Sequence, residues 1–466
     1  MKLFADDLEF SSLGVSTFEY LSSVVPSLQT VVTETEYLDK DFTAAYIHFY
    51  GSLFKPPPRT CTRYLFFCES FSDISSLQNQ RIIESFKGFL VVWPTYPPVI
   101  GRSVLPFPES LGSRDNMIRS DTDYEVYVAG VRLSIKSAVF ASKDHAVSAC
   151  ATVATWLAVD LMHNKFGLRG SSTTEITLLA TDKQPKWGRP IPQTTGLDIE
   201  QITKALTSLE YAPRVHYFDP KYTAPIESRS WLGLLYGYVL SGLPVIIMCD
   251  IYDEKDKYLG AHSILAIGIQ PSCPIKNKQE EGGVRQKSNS KNVEYVLAHD
   301  DRWGAFARIV PVERSIVTQI TYPSGRSVRL EVSALIISLP VGVNLYSEEA
   351  HSLGSRYIST WFEVNLGYNY QGSLQTKLMR SEHLKEEALT WNYEAAANEI
   401  REIAMPEWVW VTEALEIDSY LKKKGETRGE SVVARAILDA SQLKYNKKQL
   451  FIGGHLYSSI IPYVVI

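Results

Sequence analysis

Cysteine is scarce in this chain, with five residues in 466. Cys61, Cys68, Cys150, Cys249 and Cys273 form an odd, scattered set, which excludes a disulfide framework. No second Cys/His pair at zinc-finger spacing follows Cys61 and Cys68, so no structural metal is expected. Basic charge is not in excess either. Lys and Arg number 47 against 52 Asp and Glu, a net charge of −5, and no broad nucleic-acid surface is expected from that balance. Long apolar runs are also missing. The segment WLGLLYGYVLSGLPVIIMC is broken by Gly and Pro and reads as a helix followed by a buried strand, not as a membrane span. In the opening MKLFADDLEF, Asp6 and Asp7 interrupt the apolar stretch that a signal peptide needs. The expectation is a cytoplasmic protein with no membrane association. No internal repeat stands out, and no clean linker sets off the last third of the chain.

What is present is ordinary globular material, 45% hydrophobic and 21% charged, long enough for two or three cored domains. Residues 1–130 lean toward strand: AAYIHFYGS, TRYLFFCES and KGFLVVWPTY are β-branched and aromatic runs between proline-bearing turns. Residues 146–166, AVSACATVATWLAVDLMHNKF, lack Gly and Pro and are apolar nearly all round a helical wheel, the mark of a helix buried on most sides. GLDIEQITKALTSLEY predicts a second helix, with Ile199, Ile202, Leu206 and Leu209 on one stripe. SWLGLLYGYVLSG predicts a third, stopped by Gly242 and Pro244. The period then changes to that of strands over 243–250, 262–270, 293–300 and 305–312. The polar segment 271–292 reads as a long mobile hairpin loop. Beyond 313, residues 331–346 read as strand material, 381–404 as one long helix, and PEWVWVTEAL and VVARAILDASQL as further strands.

A thiol hydrolase needs a thiolate, a base, a group that orients the base, and donors for the oxyanion. Cys150 stands at the start of the buried helix, where unpaired amides and the helix dipole favour negative charge. His262 heads the apolar strand HSILAIGI. The next strand, YVLAHD, ends in Asp300 and is followed by Asp301, Arg302, Trp303 and Gly304. Adjacent antiparallel strands can set a carboxylate beside the imidazole, fixing its tautomer and stabilising the imidazolium.

In order and context these pieces resemble the papain-like peptidases, and among them the C39-like group. The matching segments are SACATVATWLA around Cys150, SGLPVIIMCD leading into GAHSILAIGIQ around His262, YVLAHDDRWGAFARI around the aspartates, and the helix GLDIEQITKAL. The likeness covers roughly residues 135–315. It implies Cys150 as nucleophile and His262 as base. Alignment on the strand end favours Asp300 as the third member, alignment on the following Trp-Gly favours Asp301, and Asp300 is preferred. Trp303 would wall the cleft as the family's tryptophan does, and core filler is the other reading for it. Two positions depart from the family. Asp144 stands where a glutamine usually donates to the oxyanion, and Ala151 where a glycine often follows the cysteine. A carboxylate repels an oxyanion, so either Asp144 has another role, a neighbour such as Lys143 or His145 assists, or the Cys150 amide works largely alone.

The expected fold is therefore α+β. A papain-like core over 131–315, a buried Cys-bearing helix on an antiparallel sheet, lies between a β-rich amino-terminal region (1–130) and a mixed α/β carboxy-terminal extension (316–466). The expected activity is cysteine-type peptide hydrolysis without a metal or organic cofactor, on a peptide or protein substrate. Acyl transfer by the same triad and an inactive binding module are the alternatives.

Overall fold

The structure is a computed structural model. It describes residues 28–466 apart from 97, 109–116, 145–148, 182–195, 219–229, 254, 272–292, 303, 312–316, 322–326, 368–369, 371–372, 392–393, 416–431, 442–449, 457–458, 461–463 and 466. The expectations for His145, Trp303, Cys273, the amino-terminal decapeptide and nearly all of the 271–292 loop fall outside the described residues.

The expected α+β papain-like fold is not what the chain forms. Strand accounts for 42% of the structure against 32% for helix, and the central sheet closes on itself as a six-stranded antiparallel barrel. Its strands are β1 (Val245–Tyr252), β2 (Tyr258–Pro271), β3 (Val293–Asp300), β4 (Gly304–Pro311), β5 (Val317–Thr321) and β6 (Ser327–Pro340). Each pairs with the next in the chain, and β6 returns to pair with β1, Val245 opposite Ile337 and Tyr252 opposite Arg329. Closure leaves the ring without free edges. Two long strands reach beyond it. The far half of β6 pairs with Tyr211–Tyr217, and Gly268–Ile269 of β2 pair with Ile118–Arg119. Sequence periodicity identifies strands but not the pairing of residues some ninety positions apart. The closing step is therefore illegible in the sequence, which points only to an antiparallel sheet.

Helix α1 (Cys150–Phe166) packs across β2 and also touches β1, β3 and β6. Every position from Ala151 to Met162 is buried, as its unbroken apolar composition demands. It stops where Gly167 takes a left-handed conformation (φ 69°) and returns its amide to His163 O at 2.9 Å.

Both flanking regions hold α1. From the amino-terminal side, a six-stranded sheet built on Thr30–Tyr37, Cys61–Phe67 and Phe86–Trp93 brings up Arg102. This half-buried guanidinium pairs with Asp41 and with Asp160 of α1, and it lies 5.2 Å from the Trp156 ring centroid. From the carboxy-terminal side, Arg380 donates to Phe166 O at 2.7 Å, satisfying a carbonyl at the helix end. Arg380 closes the strand Ser373–Arg380, which pairs with Trp408–Leu415, itself paired with Val432–Asp439. The long helix expected over 381–404 is two helices, Ser381–Ala388 and Glu394–Glu402.

Candidate active site

The site forms where the amino end of α1 meets β2 and the end of β3. Cys150 is the first residue of α1 and is half-buried. The residue before it, Ala149, carries no side-chain oxygen, so the first-turn amides receive no capping bond from it. Donors at the head of a buried helix are thus left beside the sulfur.

His262 lies in β2 opposite Cys249 of β1. Its ring is buried, with 5% of the side chain exposed. A side-chain hydrogen bond links it to Cys150. Its Nε2 lies 3.0 Å from Asp300 Oδ1 and 3.7 Å from Asp301 Oδ1. Burial opposes charge on His262. The Asp300 carboxylate and its hydrogen bond, the hydrogen bond with Cys150 and the charge of Asp301 outweigh that effect and hold the imidazole well above the usual histidine range.

The two carboxylates differ in their partners. Asp300 is fully buried and also accepts from the Arg302 amide at 2.8 Å, a bond that fixes its rotamer. Asp301 is 3% exposed, and neither of its carboxylate oxygens has a hydrogen-bond partner. Burial pushes its carboxyl up to about 6; His262 opposes that, Asp300 adds to it, and Lys143 opposes it. A regular strand would send the two side chains to opposite faces. They meet at one imidazole because β3 ends at Asp300 and the chain turns through Asp301–Arg302. The ladder to β4 is also irregular here. Register shifts between Ala298, which faces Ala307, and Asp300, which faces Gly304. Phe306, with φ 60°, sits in the extra turn of β4 and donates its amide to His299 Nδ1 at 3.2 Å. A bulge of this kind bends the strand and re-aims its end.

Asp144 is buried, and its Oδ2 accepts from the Tyr50 hydroxyl at 2.6 Å. It therefore serves as an acceptor that ties the segment before α1 to the amino-terminal region. Its neighbour Lys143 donates its amide to Asp301 O at 3.4 Å, which brings that segment alongside the site.

The structure thus brings together Cys150, His262, Asp300 and Asp301, with Asp144 anchored nearby by Tyr50. His145 and Trp303 lie outside the described residues. His299 is buried between Phe140 and Phe306, and burial pushes its ring down to about 3. Sequence reasoning missed two residues. Tyr50 is ninety-four positions from Asp144 and carries no local signal. Cys249, in the sequence only one of the scattered cysteines, faces His262 across the β1–β2 ladder, and its thiol donates to His262 O at 3.7 Å. Counting back through the short β1–β2 connection would have found it.

Among the described residues, no helix is long and apolar enough to cross a membrane. Comparison with family models, with curated proteins and with solved structures found no match.

Proposed function

We propose that the protein is a cysteine peptidase in which Cys150 is the nucleophile, His262 the base and Asp300 the residue that orients the base. One observation carries this reading. A single buried imidazole is hydrogen-bonded to a thiol at a helix start and, through Nε2, to a carboxylate. Asp300 on Nε2 leaves Nδ1 as the nitrogen for the thiol proton. The chain order Cys, His, Asp is what the reading keeps from the likeness to papain-like and C39-like enzymes; the fold of those enzymes is not part of it.

Attack of the Cys150 sulfur on a peptide carbonyl forms a C–S bond and an oxyanion. The proton taken up by His262 passes to the leaving amine as the C–N bond breaks. Water then attacks the thioester, His262 accepts its proton, and the thiol and a carboxylate product are released. With Asp144 engaged by Tyr50, the oxyanion falls to the Cys150 amide and the first turn of α1. The substrate is a peptide or protein, and the place of action the cytoplasm, in keeping with the sparse, odd set of five cysteines.

The test offers the purified full-length chain a proteome-derived peptide library and reads new amino termini by mass spectrometry. Cleavage by the wild type that is abolished by iodoacetamide labelling at Cys150 and by Cys150→Ala supports the reading. Identical product spectra from wild type and Cys150→Ala would sink it. Products joined to an added amine in place of water would move the activity to acyl transfer.

A further inference from the structure

We infer that His262 Nε2, Asp300 and Asp301 form a binding site for a divalent first-row transition cation of the zinc class, and that filling it switches the triad off. Each of the three residues offers one ligand atom, and these atoms lie within 4.8 Å of one another. The separations from Nε2 are 3.0 Å to Asp300 and 3.7 Å to Asp301. Tetrahedral zinc, with bonds of about 2.0–2.2 Å, places its ligand atoms about 3.3–3.5 Å apart, between those two values.

The second, independent observation is Asp301. Both of its oxygens are buried and without a hydrogen-bond partner, and one of them is aimed at Nε2. A buried carboxylate left this way is costly unless something positive or protic meets it. Orienting the base takes one carboxylate, and Asp300 fills that place with its Arg302 bond. Asp301 is surplus to the triad and supplies the third ligand. One imidazole and two carboxylates suit zinc or cobalt, with water in the fourth position. Magnesium and calcium, hard cations that take oxygen ligands, are disfavoured by the imidazole nitrogen.

The inhibitory part rests on the peptidase reading. A cation on Nε2 displaces the Asp300 hydrogen bond and keeps the imidazole neutral, so His262 can no longer become the imidazolium that protonates the leaving amine. The cation sits on the far side of the ring from Cys150, which distinguishes this site from a thiolate–imidazole one.

The experiment uses the EDTA-stripped full chain, titrated with Co2+ followed by visible absorption and then displaced with Zn2+. Stoichiometric tetrahedral cobalt without a sulfur-to-cobalt charge-transfer band is expected. Cys150→Ala should leave the affinity within about threefold, and Asp301→Asn should weaken it by about tenfold or more. Cys150→Ala leaves all three ligands intact, so it decides the matter even if Asp301→Asn does not fold. No cobalt binding, a sulfur-to-cobalt band, or loss of binding in Cys150→Ala would each overturn the site. Peptide cleavage measured in EDTA separates the two proposals. Cleavage without cobalt binding removes the metal site and keeps the peptidase; tetrahedral cobalt binding without cleavage does the reverse.

Discussion

Asp301, beside the barrel, and Glu413, in the carboxy-terminal sheet, are both carboxylates cut off from water, yet their environments act in opposite directions. At Glu413 burial raises the carboxyl, but Lys377, Arg435 and a hydrogen bond from Gln375 overcome it and hold it below the usual glutamate range. The bonds are short: Arg435 Nε at 3.0 Å, Gln375 Nε2 at 3.0 Å and Lys377 Nζ at 3.3 Å. They come from register, since Gln375, Glu413 and Arg435 face one another across three adjacent strands. Asp301 has no such ladder. It sits past a strand end, with both oxygens unbonded and its carboxyl pushed up to about 6 by burial. A cross-strand ladder saturates a buried charge and makes it structural. A turn next to a bulge leaves one under-satisfied, and that is the condition of groups that do chemistry or bind ligands.

The largest expected effects test the reactive side of this contrast. Cys150→Ala should lower peptide cleavage by roughly four orders of magnitude or more with little change in melting temperature, and Asp300→Ala by about two to four with a lowered melting temperature, since it strips the buried His262 of its carboxylate. Steady-state kinetics beside a thermal melt checks both; a Cys150→Ala chain that cleaves as well as wild type would end the contrast. On the saturated side, Arg435→Met leaves Glu413 and Glu387 without their shared guanidinium and should cost about 3–5 kcal/mol. Urea unfolding measures it, and a loss under about 1 kcal/mol would mean that the ladder is ornamental.

The pH dependence of Glu413 follows from its direction. Its carboxyl is a stronger acid folded than unfolded, so its contribution is present above the ordinary value of about 4.5 and is lost as pH falls below it. Glu413→Gln should therefore flatten the acid limb of the stability curve below that pH, and an unchanged limb would assign acid sensitivity to other groups. The smallest effect belongs to Asp301→Asn. It removes a charge that has no hydrogen bond to lose, so stability should change by no more than about 1 kcal/mol in either direction. A loss as large as that of Arg435→Met would show that the two carboxylates are held alike.

Much of the site was legible because its parts are local. A Gly- and Pro-free apolar run made α1, with Cys150 at its head. Gly242 and Pro244 ended the helix Ser230–Leu240 and led into β1. The runs 293–300 and 305–312 coincide closely with β3 and β4. The preference for Asp300 came from alignment on the end of the strand YVLAHD, and Asp300 Oδ1 is the nearer carboxylate oxygen to Nε2. The bulge at Phe306 and the Tyr50 anchor on Asp144 had no such signal, because each depends on a partner that sequence periodicity does not name.

The amino-acid sequence by itself determined most helices and strands of the central region and which of them carry a thiol, an imidazole and carboxylates, since those follow from side-chain period and local backbone preference. It misled over 44–52, which read as strand where Lys40–His48 is helix, and over 381–404, which read as one helix. Only the tertiary structure decided that the central strands close into a barrel, that Arg102 and Arg380 hold α1 from two sides, and that Asp301 meets His262 with its oxygens unbonded. Each of those depends on contacts between residues far apart in the chain, whose free energy comes from register, burial and the supply of partners in three dimensions.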